Sequence, residues 1–168
     1  MAITYEPIAT TTLNSTQSTV TFSSISGSHT DLVLVMNPIT NDTNGAYPYL
    51  RFNSDSSTNY GRIFMRGNGS SASSDESNNE NLAYIIGGNV AQLNSAFNAI
   101  VNIQNYANTT TFKSYISRAN SATGTDASVE AVVGMWRSTS AINNITITCG
   151  GTSFVSGSTF TLYGITKA

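Results

Sequence analysis

This chain has few charged residues, one histidine and one cysteine, and each scarcity excludes a class of function. Lys and Arg number 7 and Asp and Glu number 9 among 168 residues, giving a formal net charge of −2. So few cations form no basic stripe, and we expect no nucleic-acid partner because counterion release from phosphates cannot drive binding. The single Cys149 excludes an internal disulfide, and its alternating apolar context predicts a buried structural thiol.

The scarcity of histidine also limits catalysis and metal binding. His29 is the only histidine and no Gly-x-Ser-x-Gly elbow is present, which argues against a serine-hydrolase triad. One histidine and one cysteine provide no ligand cluster for a transition metal. Residues 41–45 offer closely spaced Asn and Asp oxygens, but the bidentate acid of an EF-hand does not follow. Calcium is therefore a weak alternative, and we expect no metal and no other cofactor.

Among the few carboxylates, Glu130 stands out because it lies within an apolar strand pattern, whereas most of the other acids fall in turns. A glycosidase needs two facing carboxylates about 5 to 10 Å apart, one of them in a pocket that raises its pKa. We expect Glu130 on the same strand face as Val132 and Trp136, and interpret it as a rim or interface carboxylate near Arg137 or another arginine. The sequence therefore predicts that the protein is not an enzyme.

Long apolar runs are absent too. The run at residues 32–36 is among the longest and falls far short of the roughly 20 residues that a membrane span needs. Residues 1–8 lack the basic start and apolar stretch of a signal peptide. We expect no membrane association, and synthesis and folding in a cytoplasm.

What the chain has in abundance is Ser, Thr and Asn, which number 24, 23 and 19 and alternate with apolar residues. Period-two alternation rich in β-branched and aromatic residues is typical of strands with one buried face. Ten or eleven such strands are predicted, at residues 3–13, 19–25, 31–38, 47–52, 60–66, 82–86, 97–106, 110–118, 129–137, 143–149 and 159–166. No stretch has the spacing of an amphipathic helix, so helix should be minor.

Short strands joined by Gly and Asn turns, without helical crossovers, predict an all-β protein. We expect a single antiparallel β-sandwich domain over residues 1–168, of jelly-roll or Greek-key type with about ten strands. Residues 1–13 are predicted to form an N-terminal arm or an edge strand. Residues 67–81, rich in Gly, Ser, Asn and acids, are predicted to form an exposed, mobile loop.

Several motifs run in order along nearly the whole chain. They are YEPIATTTL at 5–13, VTFSSI at 20–25, TDLVL at 30–34, YLRFN at 49–53 with NY at 59–60, NIQNY at 102–106, GMWRST at 134–139 and GSTFTLYGI at 157–165. In this order they resemble a family of small β-sandwich virion proteins of tailed bacteriophages, particularly phages of cyanobacteria and other aquatic bacteria. The resemblance implies either a capsid decoration (cement) protein or a domain of a tail or neck fibre.

Between these two roles we expect the capsid decoration protein, located on the outer capsid surface of the virion. A fibre normally carries a shaft or attachment segment ahead of its binding module, and this chain begins with its first strand. The expected partners are the major capsid protein, whose subunits it would bridge and stabilise, and further copies of itself in a homotrimer. The expected capsid or subunit contacts are Ile3, Tyr5, Pro7 and Ile8.

The alternative hypothesis is a fibre module that binds glycans on the host surface. Exposed flat aromatic side chains flanked by hydrogen-bonding groups can bind sugars, and the candidates are Tyr47, Tyr49 and Trp136. Aromatic residues at strand spacing are more often part of the core, so each candidate depends on being exposed. Both hypotheses remain open at the level of sequence.

Overall fold

The computed structural model describes residues 4–41, 46–87, 97–122 and 127–166, and within these ranges it contains strands and no helix. The strands are β1 (Thr4–Thr12), β2 (Thr19–Phe22), β3 (Asp31–Asn37), β4 (Tyr47–Phe52), β5 (Tyr60–Gly67), β6 (Ala72–Glu80), β7 (Ala83–Tyr84), β8 (Phe97–Ile103), β9 (Lys113–Ala122), β10 (Ala127–Trp136), β11 (Ile145–Gly150) and β12 (Thr159–Thr166). The predicted all-β class is confirmed.

The strands form two antiparallel sheets. The large sheet has eight strands in the order β1-β12-β3-β8-β9-β10-β5-β6, and the small sheet has four in the order β2-β11-β4-β7. Phe52 of β4 in the small sheet packs against Tyr115 and Trp136 of the large sheet, with ring centroids 6.0 and 5.7 Å apart. The sheets therefore face each other across a shared core, as predicted for a β-sandwich.

The alternating pattern determines which side chains fill this core. Successive side chains of a strand point to opposite faces, and β10 buries every second residue from Ser128 to Trp136. Cys149 on β11 is buried and free, as predicted. Gly134 on β10 permits an especially close approach, because a Cβ at this position would lie 2.0 Å from the Tyr115 ring. A bulkier residue there would displace the Tyr115 side chain.

The predicted loop at residues 67–81 is largely wrong. Only the turn at 68–71 separates β5 from β6, and residues 72–80 form a strand that pairs with β5. Asn68 makes the turn, since its Oδ1 accepts hydrogen bonds from the backbone N–H groups of Ser70 and Ser71. The segment is almost entirely exposed, and backbone hydrogen bonds rather than buried side chains hold it in place.

The N-terminal segment forms an edge of the large sheet. Among the described strands β1 pairs only with β12, and its register shifts between Pro7 and Ala9, so that Ile8 forms a bulge. A proline and a bulge on an edge strand both discourage pairing with a further strand. Residues 1–3, including Ile3, lie outside the described residues.

Candidate interaction surfaces

The outer face of the large sheet carries an unusually apolar surface. Its exposed apolar side chains, here called the apolar face, are Val35, Ile63, Met65, Ile100, Ile116, Val129, Val133 and Met135. They are 37% to 67% exposed, so together they present an apolar surface on the order of several hundred Å². The largest apolar patch of a typical monomer covers about 300 to 600 Å² and often marks a binding site.

Strand register makes this face contiguous across five strands. One cross-strand row joins Ile116, Val133 and Ile63 on β9, β10 and β5. The next row joins Val35 and Ile100 to Arg118 on β9, and continues through Ala131 to Met65. Neighbouring strands are about 4.8 Å apart and the two rows are two residues, or about 7 Å, apart along the strands, so the rows form a continuous surface.

Two opposite charges accompany the apolar face. Arg118 is exposed near its centre and forms no ion pair with any described residue. Glu76 on the edge strand β6 is the register partner of Ile63 and therefore points to the same side of the sheet. A cation and an anion thus lie in different parts of one otherwise uncharged surface.

The outer face of the small sheet is different, because aromatic and hydroxyl groups dominate it. Tyr47 and Tyr49 on β4 stack with their ring centroids 6.4 Å apart and their planes at 25°. The Arg51 guanidinium lies 5.4 Å from the centre of the Tyr49 ring. Tyr84 on β7 is the register partner of Tyr49. We call Tyr47, Tyr49 and Tyr84 the tyrosine face.

The structure separates the three predicted glycan candidates. Tyr47 is 36% exposed and Tyr49 is half-buried, so both reach the surface. Trp136 is only 2% exposed and its Nε1 donates a hydrogen bond to Asp55 Oδ2 at 2.7 Å. Its inclusion as a binding platform is therefore wrong, because its ring belongs to the core on the inner face of β10.

The predicted contact residues of the N-terminal strand also differ from one another. Tyr5 is 58% exposed and its ring meets Tyr163 edge-on, while Pro7 is exposed beside it. Ile8 is half-buried and packs against the core. The exposed surface of β1 therefore comes from Tyr5 and Pro7.

Glu130 is a buried carboxylate paired with a half-buried arginine, and it does not lie at a rim. Its side chain is 1% exposed, and its Oε1 lies 3.4 Å from Arg66 Nε, while Oε2 accepts a hydrogen bond from the Gly87 N–H. Arg66 and Glu130 are register partners on β5 and β10. The partner is Arg66, an arginine other than Arg137, and the prediction included this alternative. Through Gly87, the carboxylate also connects the large sheet to the segment after β7.

His29 has a structural environment. Its Nδ1 lies 3.1 Å from Thr166 Oγ1 on β12 and 3.9 Å from Glu6 Oε2 on β1. A Cβ at Gly164 would lie within 2.3 Å of the imidazole, so the ring packs directly on this glycine. These contacts join the 23–30 connection to the end of β12 and to the edge strand.

Asp55 organises the turn between β4 and β5. It accepts hydrogen bonds from the Ser57 N–H, Asn59 Nδ2 and Trp136 Nε1. Burial alone would raise its pKa, but the hydrogen bonds from Asn59, Trp136 and Ser57 outweigh burial and lower the pKa from 3.8 to about 2. A carboxylate held this firmly stabilises a turn and is poorly suited to accept a proton in catalysis.

Sequence reasoning missed the apolar face, although a signal for it was present. Where both faces of a strand are apolar, alternation gives way to consecutive apolar residues. Such runs occur at residues 63–65, 100–101 and 132–133, all within strands of the large sheet. In a two-layer protein, one side of each run faces the core. The other side lies on the outer face of the sheet, where its apolar side chains are exposed.

The described part of the chain shows neither a metal centre nor a membrane helix. It holds no group of three or more His, Cys, Asp or Glu side chains that could bind a metal ion. Within it, no helix has the length and apolar character to cross a bilayer. Comparison of the chain with family models, curated proteins and solved structures gives no match.

Proposed function

We propose that this chain is a non-enzymatic structural protein of a bacteriophage particle, a capsid decoration protein that bridges and stabilises major capsid subunits on the outer surface of the virion. The observation that carries the proposal is that the described residues present two contact surfaces, the exposed β1 edge and the broad apolar face. A surface of this size and composition is typical of one that other proteins cover, and the motif order that resembles phage virion proteins supports the assignment to a capsid.

The strand order supports the same proposal. We infer a jelly-roll arrangement in which β1-β12-β3-β8 and β2-β11-β4-β7 are the two four-stranded halves. The strands β5, β6, β9 and β10 then extend the first half. Jelly rolls occur in viral capsid and lectin domains, and these four additional strands carry most of the apolar face.

Charge and titratable groups are consistent with a role in contact rather than in chemistry. The Glu130 carboxylate pairs with Arg66, Asp55 accepts turn hydrogen bonds, and His29 packs between β12 and β1. Each of these groups has a structural partner. A decoration protein acts through many modest contacts, and linking several copies raises avidity by orders of magnitude without new chemistry.

The capsid contact is assigned to the β1 edge, where Tyr5 and Pro7 are exposed. The test uses capsids that lack the protein, made from the phage that encodes it, to which purified chain is added. Tyr5→Lys should lower occupancy on these capsids, because it places a charge in the contact. Phe112→Lys is the matched control, since Phe112 is 51% exposed in a different region and Tyr5 is 58% exposed.

Two results would count against this assignment. Unchanged occupancy for Tyr5→Lys would reject the β1 contact. Failure of the unmodified chain to bind such capsids, when it is folded and added in excess, would reject the decoration role itself. The homotrimer expected from the sequence stays a prediction, and the dimer proposed below is its alternative.

A second candidate function is a glycan-binding module of a tail or neck fibre, favoured by the tyrosine face. Stacked Tyr47 and Tyr49 offer flat ring surface, and Arg51 adds a cation beside it. Reproducible binding on a glycan array that Tyr49→Ala abolishes would favour this function. Val133→Ala on the opposite side of the sandwich serves as the control that should leave such binding unchanged.

A further inference from the structure

We propose that the apolar face is a contact between two copies of this chain, which pack face to face about a twofold axis. This inference deepens the proposed function by naming the partner that covers the face. It rests on three features of the described residues: the area of the face, the guarded edges of the sheet, and the match between the face and its own symmetric copy.

The area is suited to a stable contact between proteins. A standard interface buries about 800 Å² from each partner, and the six apolar-face side chains on β5, β9 and β10, together with their polar neighbours, can supply most of that area. Polar neighbours such as Ser74 and Asn120 would add to that area. Two stacked sheets lie about 10 Å apart with strand directions within about 30°, so the outer face can pack as the inner face does.

The edges of the large sheet favour a face-to-face contact over edge pairing. β1 carries Pro7 and a bulge, which interrupt the ladder that another strand would need. β6 carries Asp75, Glu76 and Glu80, so two β6 edges side by side would repel each other. The large sheet therefore leaves its broad face as the surface available to another copy.

Register makes the face complementary to itself. A twofold axis parallel to the strands, above the boundary between β5 and β10, places β10 of one copy over β5 of the other. Each β10 residue then faces the second copy of its own register partner. Val129 meets Gly67 and Met65 meets Ala131, so a large side chain faces a small one in these two pairs, and Val133 meets Ile63 in an apolar pair between them and the end of β10. A shallow depression lined by Met65, Gly67, Val129 and Ala131, among others, already exists at this place.

The same axis also pairs the two charges. β9 of one copy then lies over β6 of the other. Arg118 on β9 is level with Ser74 on the facing β6, and Glu76 lies two residues further along that β6 strand. Two residues span about 7 Å of strand, a distance that an arginine side chain can reach. Arg118 would thus gain the carboxylate partner that it lacks among the described residues of its own chain.

The first test measures the mass of the full chain by sedimentation equilibrium across a wide range of concentration. We expect twice the chain mass of 17.8 kDa. Val133→Lys should weaken association at least about tenfold, because it places charges at the centre of the contact. Tyr47→Lys on the tyrosine face is the matched control and should leave the mass unchanged. A monomer at every concentration, or a dimer that Val133→Lys does not affect, would overturn the proposal.

A charge exchange separates loss of contact from loss of folding. Arg118→Glu and Glu76→Arg should each weaken the dimer, and the double variant should restore most of the association. Both residues are exposed, so neither substitution should unfold the chain. Equal weakening in the double variant would overturn the twofold arrangement, and so would a trimer, the state expected from the sequence.

Capsid binding distinguishes this inference from the proposed function. A monomer that still binds capsids would overturn the dimer and leave the decoration role intact. A dimer that dissociates with Val133→Lys but never binds capsids would support the dimer and reject the decoration role.

Discussion

At the scale of single residues, Asp55 shows how one carboxylate can fix both a turn and a core side chain. It lies in the connection between β4 of the small sheet and β5 of the large sheet. Its Oδ2 accepts hydrogen bonds from Asn59 and from the indole of Trp136. Hydrogen bonds to an ionised carboxylate are about twice as strong as neutral ones. This bond explains why the single tryptophan is a core residue and not a binding platform.

The lowered pKa of Asp55 predicts a pH dependence of stability. Its folded pKa of about 2 lies below its ordinary value of 3.8. The ionised group therefore stabilises the fold above about pH 4, and this contribution is lost as the pH falls towards 2. Because Asp55 is partly exposed, we expect a contribution on the order of 1 kcal/mol.

Chemical denaturation of wild type and Asp55→Asn, measured between neutral pH and pH 2, tests this expectation. The difference in unfolding free energy should be largest at neutral pH and should shrink below pH 4. Asp75→Asn is the control, since Asp75 is exposed and only loosely paired with Arg62 at 3.6 Å. A difference between wild type and Asp55→Asn that does not change with pH would show that the carboxylate charge is not what stabilises the turn.

At the scale of elements, β6 is the strand that hydrophobic patterning could not predict. Its sequence from Ala72 to Glu80 contains no large apolar residue, and its side chains are almost all exposed. Such a strand exists because β5 offers it a backbone ladder and because Asn68 and Gly69 form the turn between them. The turn was recognisable in the sequence, but the side chains of β6 lack the apolar alternation that predicts a strand.

The other strands were predictable because each buries one face. The pattern that located β2, β4 and β10 is the alternation that the core itself requires. The ends were less accurate, since the predicted strand at 82–86 is only Ala83–Tyr84 in β7. The order of the strands within each sheet could not be predicted from the sequence, because the pairing of strands depends on long-range packing that local alternation does not encode.

The exposure of β6 leads to a prediction about local stability. A strand with one neighbour and few buried side chains opens at a lower free energy than the strands at the centre of the sheet. We expect backbone amides of β6 to exchange with solvent at least about a hundredfold faster than those of β9 and β10. Hydrogen exchange on the dilute Val133→Lys variant measures this without the proposed dimer contact. Equal protection of β6 and β10 would contradict the prediction.

At the scale of the whole molecule, the two outer faces have different chemistry. The large sheet presents valine, isoleucine and methionine, whereas the small sheet presents tyrosine with threonine on β2 and β11. A net charge of −2 adds little long-range repulsion between copies. Such a molecule can associate through one broad face and keep the other in contact with solvent or a ligand.

If the apolar face joins two copies, the thermal stability of the protein must depend on its concentration. Dissociation accompanies unfolding of a dimer, so a higher concentration favours the folded state. For a dimer of this size, each tenfold increase in concentration should raise the melting temperature by roughly 2 °C. Scanning calorimetry at several concentrations measures the shift.

The Val133→Lys variant tests whether a shift in melting temperature with concentration comes from the apolar-face contact. It should melt at a temperature that is independent of concentration, because the contact that links unfolding to dissociation has been removed. The Tyr47→Lys variant should retain the dependence of the unmodified chain. A wild-type melting temperature that stays constant with concentration would show that the apolar face is uncovered in the isolated protein and would overturn the dimer.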